Sequence, residues 1–107
     1  MNYRMSTTYQ LFLGRTIPNE SGNRYVSNSE MESFLTDTVG RYFNSWTLTE
    51  GDSCWKGVLE DVVVVTIIAS NYEHALDIRS VAKIYKDKFN QDAVFINSFR
   101  SDSLLIE

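Results

Sequence analysis

The feature that most constrains the fold is the apolar block that ends the stretch from Ser53 to Ala69. The eight residues 62–69 read Val-Val-Val-Val-Thr-Ile-Ile-Ala, seven apolar side chains and one Thr. The block is too short for a membrane helix, which needs about 20 apolar residues. β-branched residues lose rotamer freedom on a helix but pack well on a pleated sheet. Because apolar residues fall on both sides of such a strand, the block predicts a strand that is covered on both faces.

Acidic and aromatic residues lie at the entrance of this strand. Glu60 and Asp61 precede it directly, and the turn Trp55-Lys56-Gly57 lies a few residues earlier. A central strand with an aromatic ring and acids at its mouth suits a small-molecule site. Ordinary solvated strand ends carry the same residues, so the pattern alone leaves both interpretations open.

The size and charge of the chain exclude several classes of function. A chain of 107 residues with 43% apolar content indicates a single domain, 1–107, in which residues 1–6 are expected to form a disordered leader. A net charge of −4 without any basic run argues against a nucleic-acid-binding surface. One Cys and one His exclude an internal disulfide and a Cys/His zinc cluster within one chain, and no metal or cofactor is expected. Without a signal-peptide pattern or a transmembrane span, the expected compartment is the cytoplasm and no membrane partner is expected.

The first half of the chain predicts a strand, a helix and a second strand. Residues 7–16 mix aromatic and β-branched residues and predict the first strand, which ends in a turn at Pro18. Ser27 opens a capping box with Glu30. The segment Trp46-Thr47-Leu48-Thr49 alternates between apolar and polar residues, as a strand does, and residues 50–53 are interpreted as a break after it. The helix after Ser27 has one apolar face with three- and four-residue spacing, formed by Met31, Phe34, Leu35, Thr38, Val39, Tyr42 and Phe43.

The second half repeats the order of strand, helix and strand. After the strand from Val62, Asn71 is predicted to cap a second helix. Ala93-Val94-Phe95-Ile96 predicts a further strand, and Leu104-Leu105-Ile106 a short terminal one. The buried face of the second helix is predicted to hold Ala75, Ile78, Val81, Ala82, Tyr85 and Phe89.

The order β-α-β-β-α-β predicts an α+β fold of the ferredoxin-like type, with an antiparallel sheet and two helices on one face. The other face of such a sheet stays bare. The apolar residues on both sides of the Val62 strand require a cover there, and in a chain this short a second copy can supply it. We therefore expect a homo-oligomer.

Several motifs resemble known families. The strand pair around Trp55 and the valine block resembles PII-like and CutA-like trimeric proteins. Cys54-Trp55 and Gln91-Asp92-Ala93-Val94 are similar to segments of the bacteriophage S-adenosylmethionine (SAM) lyases, formerly called hydrolases. Over most of its length, the chain also resembles a bacterial domain family of unassigned function. The motifs that carry this resemblance are Leu11-Phe12-Leu13-Gly14-Arg15, Val26-Ser27-x-x-Glu30-x-x-x-Phe34, Gly51, Trp55-x-Gly57, Glu60-Asp61 and Tyr85-Lys86-x-x-Phe89-x-Gln91-Asp92-Ala93-Val94.

The resemblance to the lyases implies a fold, a partner and a reaction. The fold would be PII-like and trimeric, with active sites between subunits, in the host cytoplasm if a phage encodes the protein. The substrate would be SAM, split into methylthioadenosine and homoserine lactone. The alternative is a non-catalytic PII-like oligomer that binds or sequesters a nucleotide or another small metabolite. No Gly-rich phosphate loop is present to favour the nucleotide.

The resemblance also implies roles for individual residues. The important acid of the lyases matches Glu60, although the register also allows Asp61. Trp55 stands where the lyases carry a Tyr, and its indole can stack on adenine or face a sulfonium. Independently of the resemblance, Arg15 at the end of the first strand is a candidate for binding a ligand carboxylate or phosphate, and otherwise for a surface ion pair. Gln91 is a candidate for substrate binding, and otherwise part of a helix-to-strand turn.

Overall fold

A computed structural model describes residues 2–18, 22, 24–70 and 74–107. One antiparallel sheet holds four long strands in the order β4-β5-β1-β6. This order, with helices between the first and second and between the third and fourth long strands, is the ferredoxin-like α+β arrangement, so the predicted fold class is confirmed. The long strands are β1 (Arg4–Gly14), β4 (Thr47–Trp55), β5 (Val58–Ala69) and β6 (Phe95–Ser103), and a separate small sheet pairs β2 (Thr16–Ile17) with β3 (Arg24–Tyr25).

The first helical segment begins at the predicted capping box. The Glu30 amide donates to Ser27 Oγ over 3.0 Å, and the Ser27 amide donates to Glu30 Oε1 over 3.1 Å. Hydrogen bonds from Arg24 and from the Ser27 backbone lower the pKa of the Glu30 carboxyl from its usual 4.5 to about 2. The segment runs as α1 (Asn28–Phe34), continues through a π-helical turn (Leu35–Val39) and ends as α2 (Gly40–Tyr42), and the other long helix is α3 (Ala75–Lys88).

The helices cover one face of the sheet. Every second residue of the central strands points into the resulting core, where Leu11 is paired with Val65 and Leu13 with Val63. The predicted helix face agrees well, because Met31, Phe34, Leu35, Val39 and Phe43 are buried in this core, while Thr38 and Tyr42 are half-buried. The core thereby fixes which residues of each strand face away from the helices.

Several boundaries differ from the predicted ones. Residues 4–6, expected in a disordered leader, instead pair with Ser101 to Ser103 of β6, so that prediction is wrong for them. Residues 50–53, interpreted as a break, lie inside β4, and β5 begins at Val58 rather than Val62. Residues 104–106 form no strand. The predicted cap at Asn71 lies outside the described residues.

The hairpin of β4 and β5 projects past the rest of the sheet. β1 ends at Gly14, which is paired with Val62, and just beyond it the Arg15 amide donates to Asp61 O over 3.0 Å. Residues 58–60 therefore pair with β4 alone. Lys56 and Gly57 form its two-residue turn, and both have positive φ angles, 49° and 80°. Such turns match the right-handed twist of the strands. The projecting hairpin forms one side of the site described next.

Candidate functional site

A cavity of about 500 Å³ opens on the helix-free face, at the end of the sheet where β1 stops. The projecting hairpin lines one side, and residues 91–94 with Phe95 line the other. Ligand pockets are typically 300–1,000 Å³ and mostly apolar with a few polar groups. This cavity fits that description, with Phe12, Trp55, Val58, Leu59, Val62, Val94 and Phe95 as its apolar lining and Glu60, Gln91 and Asp92 among its polar residues.

Glu60 lines the cavity next to Gly14 because of the strand register. Gly14 is paired with Val62, so Glu60 lies two residues further along β5 on the same face. Diagonal neighbours on adjacent strands lie within reach of a long side chain. Both Glu60 carboxylate oxygens come to 2.7–2.8 Å from the position that a Cβ atom on residue 14 would occupy. The carboxylate therefore rests directly over the Gly14 backbone.

Gln91 meets Glu60 at the same point. The Gln91 side chain is buried and follows α3, and its Nε2 donates to Thr16 O over 2.9 Å and to Phe89 O over 3.0 Å. Its Oε1 lies 2.9 Å from the same hypothetical Cβ position on residue 14. The structure thus brings Glu60 and Gln91 together, although 31 positions separate them in the sequence.

Trp55 supplies an aromatic surface at the tip of the hairpin. It lines the cavity while 42% of its surface stays exposed, and the Lys56 ammonium lies 5.6 Å from the ring centroid. The Lys56 ammonium therefore lies within cation–π distance of the indole, and Trp is the strongest cation–π acceptor among side chains. Three of the five predicted site residues, Glu60, Trp55 and Gln91, therefore line one cavity.

Arg15 and Asp61 lie elsewhere, on the side of the sheet that faces the helices. Arg15 is buried, and its guanidinium donates to Val26 O over 2.7 and 3.1 Å and to Asn28 Oδ1 over 2.9 Å. Asp61 accepts a 2.8 Å hydrogen bond from the Tyr25 hydroxyl, which raises the pKa of that phenol. The Arg15 guanidinium also stacks 4.6 Å from the centroid of the Tyr25 ring. This cluster joins the end of β1 to the start of α1 and does not reach the cavity.

Several cavity residues were not predicted as site residues, among them Phe12, Gly14 and Phe95. Phe12 and Phe95 form an edge-to-face pair with centroids 5.5 Å apart, and Gly14 provides the surface under Glu60. Nothing in the sequence marked Phe12 and Phe95 as site residues, because aromatic residues are common in strands in general. Gly14 did give a signal, since a glycine inside a strand pattern often marks a close approach of other atoms to the backbone.

Besides its acids, amide and aromatic rings, the cavity is lined by the polar side chains of Thr16, Ser53 and Lys56. Among the described residues, no group of three or more His, Cys, Asp or Glu side chains has an arrangement that would hold a metal ion. None of the helices in this part of the chain combines the length and the hydropathy that a membrane crossing requires.

Comparison with known proteins places the chain in a family. The ferredoxin-like fold is common to many functions, so the fold alone defines only a broad class. The family model of DUF3574, described as a protein of unknown function, matches residues 8–103, and the chain therefore belongs to this family. A comparison with the curated proteins finds no match.

Two solved structures share the fold over almost their whole length. One is a phage SAM lyase in complex with S-methyl-5'-thioadenosine, with 13% identity, a TM-score of 0.63, and coverage of 95% of this chain and 93% of that chain. The other is a phage SAM lyase in its apo state, with 14% identity, a TM-score of 0.64, and coverage of 96% and 94%. The resemblance predicted from short motifs is thus confirmed as a shared fold.

Proposed function

We propose that this protein is a SAM lyase that cleaves SAM into methylthioadenosine and homoserine lactone. The observation that carries the proposal is the cavity at the end of the sheet, in which an acid, an amide and an indole meet on an apolar lining. The shared fold supports it, because one of the similar phage lyases holds S-methyl-5'-thioadenosine, the thioether that this reaction would release.

The reaction suits a site with few reactive groups. The carboxylate of the methionyl group attacks its own γ-carbon, a C–O bond forms, and the bond from that carbon to the sulfonium breaks. The electron pair of the broken bond stays on sulfur, which leaves as a neutral thioether. No proton is taken up or released, so neither a general acid nor an activated water is needed. The protein has to hold the chain in a near-attack conformation and keep water out.

The cavity residues can meet these requirements. The Glu60 carboxylate can bind the ammonium or ribose of SAM or favour the sulfonium, and a charge-assisted hydrogen bond of this kind contributes about 1.5–3 kcal/mol. The Trp55 indole can stack on adenine or face the sulfonium. Gln91, whose amide oxygen lies near the Glu60 carboxylate over Gly14, adds a second polar side chain to the cavity.

The open side of the cavity lies on a face of the sheet that a second subunit would cover. The cavity lies on the helix-free face, where Ile68, Phe95 and Phe99 are 59%, 61% and 47% exposed. Exposed apolar patches on this scale mark interaction surfaces. We propose a homo-oligomer, with a trimer favoured by the resemblance, in which a neighbouring subunit closes the cavity. We place it in the cytoplasm, that of the host if a phage encodes it.

The alternative function is ligand binding in the same cavity without a reaction. Trp55 has no phenolic hydroxyl, whereas the lyases carry a Tyr at the matching position. If that hydroxyl is needed for turnover, the protein would be an oligomer that binds or sequesters a nucleotide or another small metabolite. The two functions differ in turnover and agree in ligand binding.

One experiment separates them. Purified protein is incubated with SAM, and the products are followed by chromatography against a control without protein. We expect methylthioadenosine above the spontaneous rate, with homoserine lactone appearing before homoserine. Homoserine from the first time point would instead indicate hydrolysis. SAM binding without any methylthioadenosine would reject the lyase and favour the binding protein.

A further inference from the structure

The bare Cα of Gly14 determines where the Glu60 carboxylate lies. A Cβ atom at residue 14 would sit 2.7 Å from one carboxylate oxygen of Glu60 and 2.8 Å from the other. Contacts this short do not occur between real atoms of these types, so Glu60 holds its present position because residue 14 has no side chain. A β-strand otherwise disfavours glycine, which packs nothing and costs backbone entropy.

The Gln91 amide oxygen approaches the same point over Gly14. Both Nε2 hydrogens are used by backbone carbonyls, those of Thr16 and Phe89, so the amide cannot flip without losing both bonds. Its Oε1 is thereby fixed 2.9 Å from the same hypothetical Cβ. Tyr85 anchors the strand end beneath, since its hydroxyl donates to Gly14 O over 2.6 Å. Of the groups around this point, the Glu60 side chain moves most freely, because the Gln91 amide is held by two hydrogen bonds.

We propose that Gly14 is a positioning residue for Glu60, which holds the carboxylate against the strand end and directs it into the cavity. The proposal rests on the lyase function for its effect on turnover. A side chain at position 14 would push the carboxylate away from the place where it meets the substrate. Gly14 itself touches no reacting atom and acts through Glu60.

Gly14→Ala is an informative variant because the new methyl group meets the ends of two side chains and not the backbone. The Glu60 carboxylate has to move away, and Gln91 Oε1, 2.9 Å from the new Cβ, has to shift slightly. The strand can keep its pairing while both side chains adjust. Gly51→Ala is a matched control. Gly51 is paired with Val62 on the same row and face of the sheet as Gly14, and a Cβ there would meet only Val62 Cγ1 at 3.9 Å, an ordinary contact.

The test compares SAM cleavage and thermal unfolding of the wild type with those of the two variants. We expect Gly14→Ala to lower kcat/KM by roughly tenfold or more, the scale of one lost charge-assisted contact to the transition state, with most of the loss in kcat. Gly51→Ala should stay within about twofold of the wild type and unfold close to the wild-type midpoint. Gly14→Ala should still unfold cooperatively but at a lower midpoint, because the hydrogen-bonded Gln91 amide has to shift with it. Wild-type kinetics in Gly14→Ala would overturn the proposal.

A double variant separates positioning from a general disturbance of the strand. Glu60→Asp withdraws the carboxylate from Gly14, so Gly14→Ala should have little further effect in that background. Additive losses in kcat/KM would mean that the two residues act independently, which would reject the positioning role.

A readout without turnover keeps the inference testable if the wild type does not cleave SAM, which would reject the lyase function alone. The NMR resonance of the Glu60 carboxyl carbon, assigned with Glu60→Gln, should shift in Gly14→Ala and stay in place in Gly51→Ala. An unchanged resonance in Gly14→Ala would show that the carboxylate does not depend on Gly14.

Discussion

At the scale of single residues, the two neighbouring acids have opposite environments. Glu60 points into the cavity, and Asp61 points to the helix side and accepts from Tyr25. We predict that Glu60→Gln, which keeps the shape but removes the charge, lowers kcat/KM for methylthioadenosine formation by roughly 10- to 100-fold, equivalent to about 1.5–3 kcal/mol. Asp61→Asn still offers an oxygen to Tyr25 and should change kcat/KM by less than about threefold, as expected for a surface substitution within about 0.5 kcal/mol.

The pair of variants settles which acid the reaction uses. The register of the lyase resemblance allows either residue, and both substitutions are isosteric, so unfolding midpoints measured alongside the kinetics control for misfolding. A large loss in Asp61→Asn together with normal kinetics in Glu60→Gln would move the assignment to Asp61. Normal kinetics in both variants would mean that the reaction uses neither acid.

At the scale of elements, α3 is tied to the strand that carries the site. The Tyr85 side chain is fully buried, packs against Phe34 and Phe89, and donates to Gly14 O. Burial raises the pKa of this phenol, so it stays protonated and remains a donor across the physiological range. Tyr85→Phe would leave the buried carbonyl without this donor, and we predict a loss of about 1–3 kcal/mol in the free energy of unfolding.

Urea unfolding of Tyr85→Phe and the wild type measures this loss. Tyr3→Phe, at a position that is 68% exposed, serves as the control and should unfold like the wild type. A stability unchanged in Tyr85→Phe would mean that another donor takes over the Gly14 carbonyl, and the tie between α3 and β1 would then not depend on the hydroxyl.

The helices and strands also differ in how well the sequence could predict them. The capping box at Ser27 and the apolar spacing of the helices predicted the helices well, because these signals are local. Strand ends were harder, since residues 50–53 gain their strand conformation by pairing with residues 60–63 across the hairpin, and residues 58–61 by pairing with residues 52–55. Glu60 and Gln91 each stood out in the sequence, but their meeting over Gly14 depends on the register of β1 and β5 and on the loop after α3. Arg15 looked like a free strand-end cation, whereas its burial depends on Val26 and Asn28 further along the chain.

At the scale of the whole molecule, the helix-free face of the sheet determines the expected assembly. Ile68 and Phe99 flank Thr8 on one row of this face, and both are exposed in the single chain. We predict that light scattering at micromolar concentration gives a mass that is a multiple of the single chain, with a trimer favoured. Phe99→Glu places a charge in this apolar face, whose burial would be costly, and should shift the protein toward monomers. Leu76→Glu, on α3 and 72% exposed, is the control and should leave the mass unchanged.

The oligomer also bears on activity, because the cavity opens on the face that a neighbouring subunit would cover. If that subunit completes the site, kcat/KM for SAM cleavage should fall on dilution through the dissociation range, and Phe99→Glu should lose activity although Phe99 does not line the cavity. Leu76→Glu should keep both its mass and its activity. A wild-type monomer with full, concentration-independent turnover would place the whole site within one chain. Glu60, Gln91 and Trp55 would then have to exclude water from the reaction without help from a partner.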